Sequence, residues 1–178
     1  MRVTVLQGSP NLKGSTAMLV EEFMRGAREA GHEVERIDVA RADIRPCTGC
    51  VACGYGARPC VQKDGMPEVL DELLASDMIV FATPVYYFGM TAQLKAVIDR
   101  FCAENVSLTS RRLKAALLAV AWNNDAETFA ALEAHYEAIL KYLDMTDCGR
   151  VIGRGCGTPS MTRSTNYPQE AYELGYSL

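Results

Sequence analysis

Short apolar runs alternate along the chain with longer segments whose apolar residues recur at helical spacing. Val3-Thr4-Val5-Leu6 reads as a first strand. From Ser15 to Ala30, Leu19, Phe23 and Ala27 share one face with Val20, Met24 and Ala30 beside them, which predicts a helix. Glu33 to Val39 carries only Val34, Ile37 and Val39 among charged residues, so it reads as a strand at a sheet edge. A short helix is expected from Met66 to Ala75. Met78 to Ala82 and Ala115 to Ala121 are unbroken apolar runs, the pattern of strands buried on both faces of a parallel sheet. Helices are expected from Thr91 to Ala103 and from Ala126 to Leu143, the second with Asp125 as N-cap. A last strand is expected from Arg150 to Gly155, then a turn-rich tail and a short helix starting at Pro168.

Strand and helix alternate with no linker and no repeat, which predicts one α/β domain over residues 1–178 built on a doubly wound parallel sheet. The loop after the first strand is Gly8-Ser9-Pro10-Asn11-Leu12-Lys13-Gly14-Ser15-Thr16. It is not the G-x-G-x-x-G of a dinucleotide-binding turn, and Gly14 is followed by Ser rather than the Lys of a nucleotide P-loop. The remaining common arrangement is flavodoxin-like: five strands in the order 2-1-3-4-5, with the ligand at the carboxyl ends of strands 1 and 3.

Three loops are expected to converge there. The first offers a helix N-terminus with small residues and hydroxyls, the chemistry of a phosphate site, although Ser15 or Thr16 as a plain N-cap would read the same way. The third strand runs into Pro84-Val85-Tyr86-Tyr87-Phe88-Gly89, three aromatics just past a proline. The fourth ends at Trp122-Asn123. A phosphate site facing an aromatic wall suits a flat heteroaromatic ligand with one phosphate, namely FMN. The candidate ligand-binding residues are therefore Ser9, Asn11, Gly14, Ser15, Thr16, Pro84, Val85, Tyr86, Tyr87, Phe88, Gly89, Trp122 and Asn123.

The net charge of −4 supplies no basic footprint for nucleic acid, and no apolar run is long enough to span a bilayer. Met1-Arg2 leads straight into a strand, so a cytoplasmic location is expected. Seven cysteines argue against a disulfide framework in that setting. Four stand in one Gly-rich loop, residues 44–66, as Cys47-x2-Cys50-x2-Cys53-x6-Cys60. Two-residue spacers let successive thiolates meet at one point, as in loops that hold a four-iron cluster. A structural zinc, and free or reversibly oxidised thiols, are the alternatives. Cys102, Cys148 and Cys156 are scattered and read as packed, inert thiols. His32 and His135 read as solvated, so neither is expected to be catalytic.

Three stretches together resemble the NADPH-dependent FMN reductase family, close to its iron–sulfur flavoprotein subgroup. They are Gly8-Ser9-Pro10 with Gly14-Ser15-Thr16, Pro84 to Gly89 with Leu94-Lys95 and Ile98-Asp99-Arg100, and the cysteine loop closing in Lys63-Asp64-Gly65-Met66. The resemblance implies FMN as cofactor, NAD(P)H as co-substrate and a flavin, quinone or other small electron acceptor. It implies a homodimer or homotetramer, and chemistry carried by the flavin rather than by a side chain. Its alternative is an electron carrier with a four-iron cluster on the cysteine loop and a ferredoxin as partner.

Overall fold

The computed structural model describes residues 1–178. Five strands form one sheet, every pair parallel: β1 (Arg2–Gln7), β2 (Glu33–Asp38), β3 (Met78–Pro84), β4 (Lys114–Val120) and β5 (Thr146–Gly153). Their order is β2-β1-β3-β4-β5, as the alternation predicts. The polar β2 lies at an edge and the apolar β3 and β4 lie inside, because only inner strands bury both faces.

Strand pleating divides the core in two. Val3, Val5, Val80 and Leu118 face α1 (Ser15–Glu29) and α7 (Tyr167–Tyr176), where Leu19, Val20, Phe23 and Ala171 are buried. Leu6, Phe81 and Leu117 face the other layer, made of α2 (Met66–Ala75), α3 (Ala92–Asp99) and α5 (Glu127–Tyr142). Each large apolar side chain buried there contributes about 2 kcal/mol, so inverting the pleat by one residue would be prohibitive.

Several boundaries differ from the sequence expectations. The helix expected from Thr91 to Ala103 is α3, a 3₁₀ turn (Arg100–Glu104) and a further helix, α4 (Asn105–Arg111). Thr91 caps α3, accepting from the Leu94 N–H at 3.3 Å. The α4 segment hides in the sequence because Ser107, Thr109 and Ser110 favour local side-chain bonds, which they make to Glu104 Oε2, the Asn105 carbonyl and the Ser107 carbonyl. Its inward anchor is Leu108, fully buried. β5 begins at Thr146, four residues before the expected start, because an exposed edge segment carries no apolar signal. Asp147 secures it, accepting from the Tyr136 hydroxyl at 3.1 Å and pairing with Arg150.

The turn-rich tail contains α6 (Pro159–Arg163), five residues capped by Thr158. Asp125 is one position too early to be the N-cap of α5, yet its Oδ1 accepts from the Thr128 N–H at 2.9 Å and so serves the same orphaned donors. His135 is half-buried beside Lys95 rather than solvated, and burial holds its pKa below the ordinary histidine value. The His32 ring nitrogen meets the N-terminal amine at 3.2 Å.

Candidate functional site

The carboxyl ends of β1, β3, β4 and β5 open into one crevice of about 240 Å3. β1 stops against its neighbour at Gly8, whose N–H donates to the Ala82 carbonyl at 2.7 Å. A Cβ there would stand 2.9 Å from that oxygen and 2.9 Å from Leu94 Cβ, so only glycine lets the loop leave the sheet. Thr91 ties the two loops together by donating to the Gly8 carbonyl at 2.8 Å. Inside the first loop, Ser9 Oγ accepts from the Asn11 N–H at 3.2 Å, and Asn11 Oδ1 accepts from the Lys13 N–H at 3.1 Å. These local bonds rigidify the turn that delivers the chain to α1.

The N-cap of α1 is Gly14, not Ser15 or Thr16, and it makes no side-chain cap bond. Ser15 is therefore free of capping duty. It is 6% exposed, and its hydroxyl is buried with no hydrogen-bond partner. An unpaired buried hydroxyl at a helix N-terminus, where first-turn N–H groups also lack acceptors, is an anion-binding arrangement.

The aromatic loop is a tight turn. Tyr86 N–H donates to the Gly89 carbonyl at 2.9 Å and Gly89 N–H to the Tyr86 carbonyl at 3.2 Å. Tyr87 and Phe88 between them have φ of 46° and 65°. Positive φ at both central positions is the geometry that favours Asn-Gly, so two aromatics here carry strain of about 1–2 kcal/mol each. The turn stands clear of the core: Tyr86, Tyr87 and Phe88 are all more than half exposed.

Ser9, Asn11, Gly14, Ser15, Thr16, Pro84, Val85, Tyr86 and Trp122 line the crevice together. Tyr87, Phe88 and Asn123 line an adjoining hollow of about 230 Å3, sharing Val85, Ala121 and Trp122 with it. Asn123 Nδ2 donates to Thr128 Oγ1 at 3.2 Å there. Gly89 lines neither space and closes the turn. Sequence reasoning missed the contribution of β5: Cys156, Gly157 and Pro159 also line the crevice. The rule that ligands lie at strand carboxyl ends would have found them, had the strand been ended at Gly153 rather than Gly155. A Cβ on Gly157 would lie 2.1 Å from Trp122 Cε3, so this glycine is what lets the indole occupy the wall. Neither histidine lines the crevice.

The cysteine loop is pinched at its neck. Gly65 N–H donates to the Asp43 carbonyl at 2.7 Å, and Arg45 N–H to Asp64 Oδ2 at 3.0 Å. Cys47, Cys50, Cys53 and Cys60 line one pocket of about 330 Å3. Cys102 joins them from the 3₁₀ turn, so it is not the isolated thiol that its sequence position suggests. Burial, then the neighbouring Cys53 and Cys47, push the Cys102 thiol up to about 12. Exposed Cys50 is held below the usual thiol value by the Ala52 N–H and the Thr48 hydroxyl. All seven cysteines are free, and no three Cys, His or acidic side chains stand ready-gathered as a metal site.

Comparison with known proteins bears on the family and the fold. The family model for NADPH-dependent FMN reductases matches residues 1–155. An iron–sulfur flavoprotein of Methanocaldococcus jannaschii is 37% identical over 100 residues, covering 56% of this chain and 51% of that protein. A second from the same organism is 32% identical over 138 residues, covering 76% of this chain and 69% of that one. The chain thus spans about half the length of the first curated relatives it matches. Among solved structures, the NAD(P)H:quinone oxidoreductase of Methanothermobacter marburgensis superposes with a TM-score of 0.79 at 18% identity, covering 99% of this chain and 95% of that one. With a family match over most of its length on a flavodoxin-like sheet, the chain belongs to the NADPH-dependent FMN reductase family.

Proposed function

We propose that this chain binds FMN in the crevice and acts as an oxidoreductase, carrying electrons from NADH or NADPH to a flavin, quinone or other small acceptor. The observation that carries the reading is Ser15 Oγ, a buried hydroxyl without a partner on the wall of a crevice that also holds Tyr86 and Trp122. A phosphate oxygen would satisfy it. Ser9, Asn11, Gly14, Ser15 and Thr16 would hold the phosphate, and Pro84 to Tyr86 with Trp122 would bound the ring system. Bound FMN supplies hydride and electron transfer. The chain's own part is to neutralise the phosphate with the α1 N-terminus and to orient the ring between rigid loop backbones. The exposed aromatics thin the water beside it. No side chain of the crevice is required to move a proton.

The test is titration of purified protein with FMN, followed by NADH- or NADPH-driven reduction of the bound flavin. A protein that neither binds FMN nor oxidises either nicotinamide would overturn the reading. The proposal extends to a cytoplasmic homodimer or homotetramer, supported by seven free cysteines and by exposed Tyr87, Phe88 and Trp122 beside the crevice. Sedimentation of the FMN-loaded protein checks it, and a strict monomer would refute it.

A second reading rests on the cysteine pocket: an iron–sulfur cluster on Cys47, Cys50, Cys53 and Cys60, with a ferredoxin as electron partner. The donor set suits it in kind, all four being thiols that line one pocket. Bound there, a cluster would supply one-electron transfer. Iron and acid-labile sulfide in anaerobically prepared protein test this reading, and their absence after reconstitution rejects it.

A further inference from the structure

The largest fully buried side chain in the protein is a charged one, Arg100, 1% exposed. It begins the 3₁₀ turn and lines the cysteine pocket with Cys60 and Cys102. Two of its three nitrogens are committed. Nη1 donates to Asp64 Oδ2 at 2.6 Å and to the Arg45 carbonyl at 2.9 Å, and Nη2 to Asp64 Oδ1 at 3.1 Å. The same carboxylate accepts the Arg45 and Met66 N–H groups. The ion pair is therefore complete without Nε, and Nε is buried with no partner at all.

A buried guanidinium N–H left unpaired is costly, about 1–3 kcal/mol or more for a charged group. Nothing in the pair's own geometry requires it, because a fork-to-fork pair through Nη1 and Nη2 already fixes Arg100. Besides Asp64, the side chain that acts on the guanidinium is the Cys60 thiol, which lines the same pocket. A neutral thiol is a weak acceptor, whereas a thiolate or sulfide is a strong one. Lysine in such a place would shed its proton on burial; arginine keeps its charge.

We propose that Arg100 is a positioning residue for an anionic sulfur group in this pocket, its Nε–H donating to the sulfur of a cluster held by Cys47, Cys50, Cys53 and Cys60. The proposal rests on the second reading above. Asp64 clamps the fork, so the free donor presents one fixed direction to the sulfur. A donor there favours the more negative, reduced form and raises the reduction potential.

The experiment reconstitutes the full chain anaerobically with ferrous iron and sulfide, in wild-type, Arg100→Lys and Asp64→Asn/Arg100→Gln forms. Lys keeps the charge and the pairing with Asp64 but lacks the Nε–H. The double variant removes both charges, so no buried ion is stranded. Circular dichroism and melting establish that each variant is folded. Folded variants are expected to lose iron to a chelator about 10-fold faster and to show a more negative midpoint potential, which a merely structural Arg100 would not move. In loaded wild-type protein the Arg100 Nε–H resonance is expected to shift from its position in the metal-free chain. Unchanged release and potential in a folded variant, or an unmoved resonance, overturn the role of Arg100 and leave the cluster standing. Wild-type protein that takes up no iron overturns the cluster, and this role with it.

Discussion

Removing the Ser15 hydroxyl should strengthen the empty protein and weaken its hold on FMN. In Ser15→Ala the unpaired buried oxygen disappears and no partner is stranded. Relief of even about 1 kcal/mol of desolvation should raise the melting temperature of the flavin-free chain by roughly 2–4 °C in a domain of this size. The same hydroxyl, donating to a phosphate oxygen, is worth about 1.5–3 kcal/mol as a charge-assisted bond, so FMN affinity should fall about 10- to 100-fold. The assay is paired: thermal melts of flavin-free protein, and fluorescence titration with FMN and with riboflavin. Riboflavin has no phosphate, so its affinity should be unchanged. Equal losses for both flavins, or a lower melting temperature in the flavin-free variant, would refute the anchor. Ser15→Asp extends the test, since a carboxylate on the α1 N-terminus should exclude the phosphate and abolish FMN binding while the fold persists.

Three further expectations follow from the same geometry. Replacing Tyr87-Phe88 with Asn-Gly relieves two left-handed aromatics, so the chain should gain about 1–3 kcal/mol in denaturant melts while retaining FMN less well; a loss of stability would show that no strain is held there. Gly157→Ala forces Trp122 from the crevice wall, and because the chain has one tryptophan its emission should shift as FMN affinity falls; unchanged emission and affinity would count against that contact. Asp64 is held down to about 2 from 3.8 by Arg100, so its contribution of about 2 kcal/mol is fully present above pH 4 and is lost as pH falls through about 2. Urea midpoints between pH 5 and pH 2 should therefore converge for wild type and Asp64→Asn, and curves that stay parallel would rule the linkage out.

The order of elements was legible in the chain because burial on two faces demands unbroken apolar runs and burial on one face demands helical spacing. Met78 to Ala82 and Ala115 to Ala121 could only be inner strands, and charged Glu33 to Asp38 only an outer one. The positions of the first loop and of the aromatic turn were legible too, since each is continuous in sequence and sits at a strand end. What escaped was whatever depends on distant residues meeting. Segments 105–111 and 146–149 hold no periodic apolar signal, and their structure comes from single anchors such as Leu108 and from Asp147 bonding across to Tyr136. Tertiary packing alone freed Ser15 from capping, seated Trp122 against Gly157 and brought Cys102 beside the cysteine loop. It also buried Arg100 on Asp64, 36 residues away, with one donor left over. Periodicity reports how each segment faces the core. Pairing between segments is a property of three-dimensional proximity, which no local pattern encodes.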